Sequence, residues 1–223
     1  MKKAHDRRCA IVQSGAVPCC RNVPESAPLY TLPYMFTPEH QPRRTDIRYC
    51  RHCGAPVERR APGAGDERER AVCPACGTIH YVNPLLVVGT VPVLDDGRVL
   101  LCQRAIEPRR GYWTLPSGFM ELDETLAQGA LRETREETGA RIDMGPLLTV
   151  ISVAHVGQVH VYFRARLLSA QCDPGPETLA VQLAAEAQVP WDDIAFPTVR
   201  ETLRRYFADR RAGAFGVHEF DLP

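Results

Sequence analysis

The sequence predicts an α+β protein in which a small cysteine-rich ribbon precedes a larger domain of strands and helices. Two Cys-x-x-Cys pairs, each followed by glycine, lie between residues 50 and 77. Beyond residue 83, short apolar runs rich in β-branched residues alternate with turns marked by glycine and proline, which is the pattern of strands. Segments with helical periodicity lie at 125–138 and 198–213. We therefore expect the ribbon at 46–82 and the larger domain at 83–220.

Residues 1–45 show prolines at irregular intervals and no sustained hydrophobic period. We expect this segment to be disordered. An alternative is that residues 1–34 are an upstream extension of the reading frame and that translation starts at Met35.

Composition and charge exclude several classes of protein. Lys+Arg and Asp+Glu balance at 27 each, so a dedicated nucleic-acid binder is not favoured. No apolar run is long enough to span a membrane, and the N-terminus lacks a secretory signal. The nine cysteines do not form the framework of a secreted disulfide protein. We expect a cytoplasmic protein.

The two cysteine pairs predict a structural zinc site. A Cys-x-x-Cys turn offers two thiolates on one edge of a tetrahedron, and the following glycine allows the sharp turn; two such turns close a four-sulfur site. A redox pair or an iron–sulfur site is the alternative. His52 and His80 lie nearby, but we expect neither to be a ligand. The expected ligands are Cys50, Cys53, Cys73 and Cys76.

The larger domain is predicted to begin with a β-hairpin, because "LLVVGTVPVL" and "RVLLCQR" flank the turn Asp95–Gly97. Cys102 lies in the second run, where we expect a small core residue. Two more strands, "LLTVISVAHV" and "QVHVYFRARLL", surround Gly157. The helix at 198–213 ends at Gly213. Its apolar stripe consists of Val199, Leu203, Tyr206 and Phe207.

The helix at 125–138 crowds carboxylates onto one face. Thr125 and Gln128 have the spacing of a capping box, and Gly139 suits the helix end. At the pitch of an α-helix, Glu133, Glu136 and Glu137 fall within about 100° of arc. The opposite, core-facing side is expected to consist of Ala127, Ala130, Leu131 and Thr134.

Two interpretations of this acidic face compete. It could be a solvated surface whose carboxylates pair with Arg132 and Arg135. Alternatively, a hard divalent cation, Mg²⁺ or Mn²⁺, could join the carboxylates, which otherwise repel one another. The flanking residues favour the cation.

Those residues are Gly118, then Glu124 after five positions, then "RETREETGA" (Arg132–Ala140) after seven more. This pattern resembles the signature box of the Nudix hydrolase family. Thr134 and Ala140 stand where that box usually carries bulky aliphatic residues, which affects packing more than ligands.

The resemblance implies an α/β/α sandwich that cleaves a nucleoside diphosphate linked to a further group, using Mg²⁺ or Mn²⁺. Glu133 and Glu137 would be the principal metal ligands, Glu136 a further ligand, and the carbonyl of Gly118 a possible contributor. Arg132 would orient the carboxylates, including Glu124.

The likeness over about residues 46–220, including "GYWTLPSGFMELDET", "PGPETL" and "PWDDIAF", narrows the family to a zinc-ribbon subgroup. It implies a nucleotide-derived substrate, FAD or ADP-ribose, with AMP as a product, and a homodimer. NADH is a weaker candidate, because "DMGPLLTVISVAH" follows the box where the NADH-cleaving branch carries Ser-Gln-Pro-Trp-Pro-Phe. A nucleotide-sensing regulatory protein and a phosphatase of damaged nucleoside triphosphates are the alternatives.

Outside the box, the sequence departs from the subgroup. Ala180 and Gln188 stand where we expect glutamate, and either position could supply a further ligand or the general base. Glu177 and Glu186 are the remaining candidates for that role, and each could equally be a solvated surface charge.

Polar and aromatic residues near the box could also line a substrate pocket. Each is at least as compatible with a hairpin surface or with the core. They are His155, Gln158, His160, Tyr112, Trp113 and Phe119.

Overall fold

The computed structural model describes residues 46–63 and 65–223. The predictions for residues 1–45 fall outside this part of the chain. The described chain divides into two compact units with a boundary between Asn83 and Pro84. Within the described residues, no helix is both long and apolar enough to cross a membrane.

The first unit is a three-stranded antiparallel sheet, β1 (Glu58–Arg60), β2 (Arg70–Val72) and β3 (Ile79–His80), in the order β1-β2-β3. A cysteine turn precedes β1 and another precedes β3. Gly54 and Gly77 close these turns, donating their amides to the carbonyls of Cys50 at 2.8 Å and Cys73 at 2.9 Å. Both glycines have positive φ, which explains why glycine follows each pair.

The second unit is a mixed sheet with one long helix on each face. Its strands and helices, in chain order, are β4 (Leu85–Val93), β5 (Val99–Arg104), β6 (Trp113–Thr114), β7 (Ser117–Phe119), α1 (Leu126–Thr138), β8 (Ile142–Val153), β9 (Gln158–Leu167), β10 (Thr178–Ala184), α2 (Pro197–Ala212) and β11 (His218–Asp221). The sheet order is β10-β5-β4-β9-β8-β11, with β6 paired to β5 and β7 to β4.

The two helices bury opposite faces of this sheet. Val161 on β9 packs with Ala130 of α1, whereas the next residue, Tyr162, packs with the apolar stripe of α2. Neighbouring side chains of a strand point to opposite faces, so α1 and α2 lie on opposite sides. The predicted α/β/α sandwich is confirmed.

The hairpin predicted around Asp95–Gly97 is only partly present. Gly97 makes the turn, with its amide donating to the carbonyl of Leu94 at 2.8 Å, but β4 and β5 pair only at Val93 and Val99. Beyond that pair β4 and β5 separate, and the short strands β7 and β6 pair with β4 and β5, respectively. On their other edges, β4 pairs in parallel with β9 along its whole length, and β5 pairs with β10.

Helix α1 begins and ends as predicted. The side chain of Thr125 accepts a bond from the Gln128 amide at 3.2 Å, and the Gln128 side chain accepts one from the Thr125 amide at 2.8 Å. Gly139 ends the helix in the left-handed conformation. The prediction that Leu131 faces the core is wrong, since its side chain is exposed. The face against the sheet consists of Gly129, Ala130, Thr134 and Thr138.

Helix α2 also agrees with its prediction, starting one residue earlier and ending at Gly213 in the left-handed conformation. All four members of the apolar stripe are buried. Four strands of this unit were not expected from the sequence: β6 and β7, which pair with β5 and β4, β10, which pairs with β5, and β11, which pairs in parallel with β8.

Candidate active site

Arg132 lies at the centre of the acidic face of α1 and contacts three carboxylates. Its Nε and Nη2 donate to the two oxygens of Glu124 at 3.1 and 2.8 Å. Its Nη1 donates to Glu133 Oε1 at 2.6 Å and to Glu136 Oε2 at 3.1 Å, and Nη2 also reaches the Phe119 carbonyl at 3.1 Å. A guanidinium with five bonds in fixed directions sets the orientation of its partners.

Glu124 serves as the anchor of this guanidinium. The side-chain bonds from Arg132, followed by the backbone amide of Glu121, lower the pKa of Glu124 to about 2. The amide of Glu121 donates to Glu124 Oε1 at 2.7 Å. With both oxygens occupied, Glu124 holds Arg132 in place and has little capacity left for another ligand.

Gly118 and Glu133 approach each other so closely that any larger residue at position 118 would displace the Glu133 carboxylate. A Cβ built on Gly118 would lie 2.5 Å from Glu133 Oε1 and closer still to its other carboxylate atoms. Burial raises the pKa of Glu133, Arg132 opposes that rise, and the charges of Glu136 and Glu177 add to it. The missing side chain therefore leaves room for a carboxylate that is held in a poorly solvated position.

Glu137 is the most deeply buried carboxylate of the helix face. Its Oε2 accepts a bond from the Ser117 amide at 2.9 Å and lies 3.7 Å from the thiol of Cys102. Burial raises the pKa of Glu137 to about 7, opposed by the Ser117 amide and by the charge of Arg104. Cys102, Ser117 and Arg104 could not be predicted as neighbours of this carboxylate, because they lie on β5 and β7, distant from Glu137 in the sequence.

The loop before β10 brings Glu177 beside this cluster. The loop packs on the end of α1, where the amides of Asp173 and Gly175 donate to the carbonyls of Thr138 at 2.9 Å and Glu137 at 3.0 Å. A Cβ on Gly175 would collide with the Glu136 carbonyl. Glu177 is exposed, and its charge is near enough to raise the pKa of Glu133.

The other positions considered outside the box behave differently. Ala180 lies on β10 opposite Gln103. Gln188 caps its own short turn, accepting a bond from the Ala185 amide at 3.1 Å. Glu186 forms an ion pair with Arg211 of α2. Glu177 is thus the acidic side chain from this region that acts on the box carboxylates.

The aromatic and histidine candidates divide between the core and the surface. Trp113 packs against the core beneath α2, and Tyr112 stacks with Arg109 at 5.2 Å. Phe119 is 51% exposed and adjoins Gly118. His160 is buried, with Nε2 2.9 Å from Gln158 Oε1, and burial lowers the pKa of His160 to about 4. Phe119 is the aromatic candidate available to a ligand, whereas His155 is an exposed hairpin residue.

In the first unit, the four predicted cysteines form one cluster. Their Sγ atoms all lie within 4.8 Å of one another, and no other group of three or more His, Cys, Asp or Glu side chains in the described residues converges in this way. The Thr78 side chain and amide lower the pKa of Cys76 to about 6, whereas hydrogen bonds with the neighbouring thiols raise the pKa of Cys53. Neither His52 nor His80 belongs to the cluster. Four convergent thiols match a tetrahedral metal site.

Comparison with known families identifies both units. Residues 84–209 match the family described as NUDIX domain, and residues 48–82 match the one described as Nudix N-terminal. The first match spans more than half of the chain. This chain belongs to the Nudix hydrolase family.

Known Nudix proteins resemble the chain to different extents. A NUDIX hydrolase structure from Nitrosomonas europaea is 46% identical, covers 79% of this chain and 100% of its own, and has a TM-score of 0.74. The NAD-capped RNA hydrolase NudC of Stutzerimonas stutzeri is 30% identical over 59% of this chain and 45% of its own length. The ADP-ribose pyrophosphatase of Methanocaldococcus jannaschii is 36% identical over 32% and 42%. The chain thus spans less than half the length of these two curated relatives.

The two departures from the Nudix box have structural reasons. Thr134 is fully buried, where its hydroxyl is 2.7 Å from that of Thr90 and donates to the Ala130 carbonyl at 2.7 Å. Both hydroxyls are therefore satisfied where an aliphatic side chain would usually pack. Ala140 is buried beside Leu100. Neither residue contacts the carboxylates of the helix face.

The donor set of the helix face fits a hard divalent cation. Its side chains offer carboxylate oxygens, the donors that Mg²⁺ and Mn²⁺ prefer. These oxygens are not drawn together as the thiols are: Arg132 engages Glu133 and Glu136, and Ser117 engages Glu137. Gly118 provides the space in which Glu133 lies.

Proposed function

We propose that this chain hydrolyses the diphosphate bond of a nucleoside diphosphate derivative, with ADP-ribose as the preferred substrate and FAD as the second. The observation that carries the proposal is the arrangement around Arg132, which holds Glu124, Glu133 and Glu136 beside the half-buried Glu137. The Nudix family of the domain supports the same reaction class.

Glu133, Glu136, Glu137 and the carbonyl of Gly118 would hold Mg²⁺ or Mn²⁺. When bound, such a cation neutralises phosphate oxygens and lowers the pKa of the attacking water. The bonds from Arg132 fix the orientation of the Glu133 and Glu136 carboxylates, and the Ser117 amide fixes that of Glu137. The chain's own contribution is therefore to preorganise carboxylates that would otherwise repel one another.

The reaction balances with water as the co-reactant. The water oxygen bonds to one phosphorus, the bridging P–O bond breaks, and a base takes up the proton that the water loses. ADP-ribose would give AMP and ribose 5-phosphate, and FAD would give AMP and FMN.

Glu177 is the base that we propose. It is exposed, it acts electrostatically on Glu133, and its loop is fixed to α1 and to β5, where the Ala105 amide donates to the Glu177 carbonyl at 2.8 Å. Glu177→Gln should lower kcat by roughly 100-fold or more with little change in KM. Glu186→Gln is the matched control, because Glu186 pairs with Arg211. Equal, near-normal rates for both variants would remove Glu177 from the mechanism.

Two observations favour ADP-ribose as the substrate: a similar protein is an ADP-ribose pyrophosphatase, and the sequence motif of the NADH-cleaving branch is absent after the box. An ADP-ribose pyrophosphatase is among the similar proteins. The segment after the box lacks the run that marks the NADH-cleaving branch and forms strand β8. A similar protein is an NAD-capped RNA hydrolase, so NADH and NAD-capped RNA belong in the test as competing substrates.

A substrate panel with product analysis tests the proposal. The full chain would be assayed with Mg²⁺ or Mn²⁺ on ADP-ribose, FAD, NADH, NAD-capped RNA, a diadenosine polyphosphate and nucleoside triphosphates. We expect the highest kcat/KM on ADP-ribose, with AMP released. A higher value on NADH or on capped RNA would overturn the substrate assignment. Absence of turnover together with tight nucleotide binding would favour a sensor.

We also propose that the four cysteines hold structural Zn²⁺ and that the enzyme is a homodimer. The convergence of four thiols supports zinc, and a filled tetrahedron leaves no position for catalysis. Metal analysis of the purified chain should give one zinc per chain. Light scattering should give twice the chain mass, and a monomer would contradict the dimer.

A further inference from the structure

The carboxylate of Glu137 is held by donors that all reach one of its two oxygens. Oε2 accepts from the Ser117 amide at 2.9 Å and lies 3.7 Å from Cys102 Sγ. Within the described chain, Oε1 accepts no hydrogen bond. The two donors therefore turn the carboxylate so that its other oxygen stays available.

Cys102 is built into the sheet at this position. It pairs with Thr114 across β5 and β6, and its side chain is 1% exposed. Its Sγ also lies 3.6 Å from the Thr114 carbonyl. A thiol carries one proton, so it can donate to the carboxylate or to the carbonyl, and a carboxylate is the stronger acceptor of the two.

We propose that Cys102 is a positioning residue for Glu137: its buried thiol and the Ser117 amide hold Oε2, and this presents Oε1 to the divalent cation. This inference rests on the proposed role of Glu137 as a metal ligand. Partners that orient a metal ligand without touching the metal commonly decide metal affinity. Cys102 therefore influences the affinity of the chain for Mn²⁺ or Mg²⁺ more than it influences the packing of the core.

Three substitutions separate hydrogen bonding from packing. Cys102→Val fills the space but has no hydrogen-bond donor. Cys102→Ala removes both the packing volume and the donor, and Cys102→Ser keeps a donor. Leu100→Ala is the control, because Leu100 is fully buried two residues before Cys102 on β5 and packs with Ala140 and Ile142. It perturbs the core without removing a hydrogen-bond donor.

The readout is the dissociation constant for Mn²⁺, measured by electron paramagnetic resonance of free Mn²⁺ on the zinc-loaded full chain without substrate. We expect Cys102→Val and Cys102→Ala to weaken Mn²⁺ binding roughly tenfold, the lower end of the cost of losing such a partner. Cys102→Ser should recover most of the affinity. Leu100→Ala should bind Mn²⁺ normally although it melts at a lower temperature. In the assay, the Mn²⁺ concentration for half-maximal rate should rise in parallel while KM for ADP-ribose stays constant.

Glu137→Gln distinguishes failure of this inference from failure of the proposed function. If the unmodified chain binds Mn²⁺ and Glu137→Gln loses it, the metal assignment holds. Normal Mn²⁺ affinity in Cys102→Val would then overturn the positioning role alone, and so would a loss shared equally by Leu100→Ala. If Glu137→Gln itself binds Mn²⁺ normally, the proposed function fails first.

Discussion

Replacing Gly118 by alanine perturbs the candidate site through a single added methyl group. Gly118 does not have a positive φ, so alanine suits its backbone. The new Cβ would overlap the whole carboxylate of Glu133, lying 2.5 Å from Oε1 and nearer to the other atoms. Glu133 must rotate away, because Gly118 is fixed in β7 by its pairing with Val88. The rotation breaks the 2.6 Å bond from Arg132.

The size of the effect follows from that displacement. Carbon and oxygen need about 3.4 Å of separation, so the carboxylate must move by roughly 1 Å. A misplacement of about 1 Å can cost about 100-fold in rate, which corresponds to about 2.7 kcal/mol of transition-state stabilisation. Stability should change by less than about 1 kcal/mol, since the strain falls on a flexible side chain and alanine restricts the unfolded chain.

Steady-state kinetics on ADP-ribose and thermal unfolding together make the assay. Gly216→Ala is the matched control, because nothing lies within 4 Å of the added methyl group and its φ is not positive. We expect Gly118→Ala to lose roughly 100-fold in kcat/KM with a nearly unchanged melting temperature, and Gly216→Ala to match the unmodified chain. A Gly118→Ala enzyme as active as the control would refute the position assigned to Glu133.

Three further predictions concern other parts of the molecule. Glu133→Gln or Glu137→Gln should lower kcat by orders of magnitude with folding intact, and near-normal rates would show that the metal assignment is wrong. Burial lowers the pKa of His160 to about 4, against about 6.5 in the unfolded chain. Because the unfolded chain then binds the proton more readily, about 3 kcal/mol of the free energy of unfolding is present above pH 6.5 and is lost as the pH falls to 4. Denaturant titrations should show less acid destabilisation in His160→Gln, and identical pH profiles would contradict this. Cys50→Ser should lose zinc and destabilise the first unit. A variant that still holds one zinc per chain by metal analysis would contradict this.

Helix boundaries could be predicted from the sequence because their causes are local. The Thr125–Gln128 capping box and the glycines after both helices involve residues within four positions of each other. The same holds for the two cysteine turns, where Gly54 and Gly77 adopt the expected conformation. The family box could likewise be read from spacing, because it lies on one loop and one helix.

Strand pairing and the contact between Cys102 and Glu137 could not be predicted, because the residues that interact are distant from each other in the sequence. β4 pairs with β9 more than 60 positions away, and β10 depends on β5 for its partner. Cys102 reaches Glu137 only through that sheet. Leu131 was misassigned because periodicity gives the apolar face only approximately, and small residues, Gly129 and Thr138, take the buried positions.

Product analysis of ADP-ribose cleavage tests the central claim most directly. The zinc-loaded full chain would be incubated with ADP-ribose and Mg²⁺, and the products would be separated and identified, with Glu137→Gln run in parallel. We expect equal amounts of AMP and ribose 5-phosphate, dependent on the divalent cation and nearly absent in the variant. Intact ADP-ribose at every metal concentration, or equal cleavage by Glu137→Gln, would contradict it.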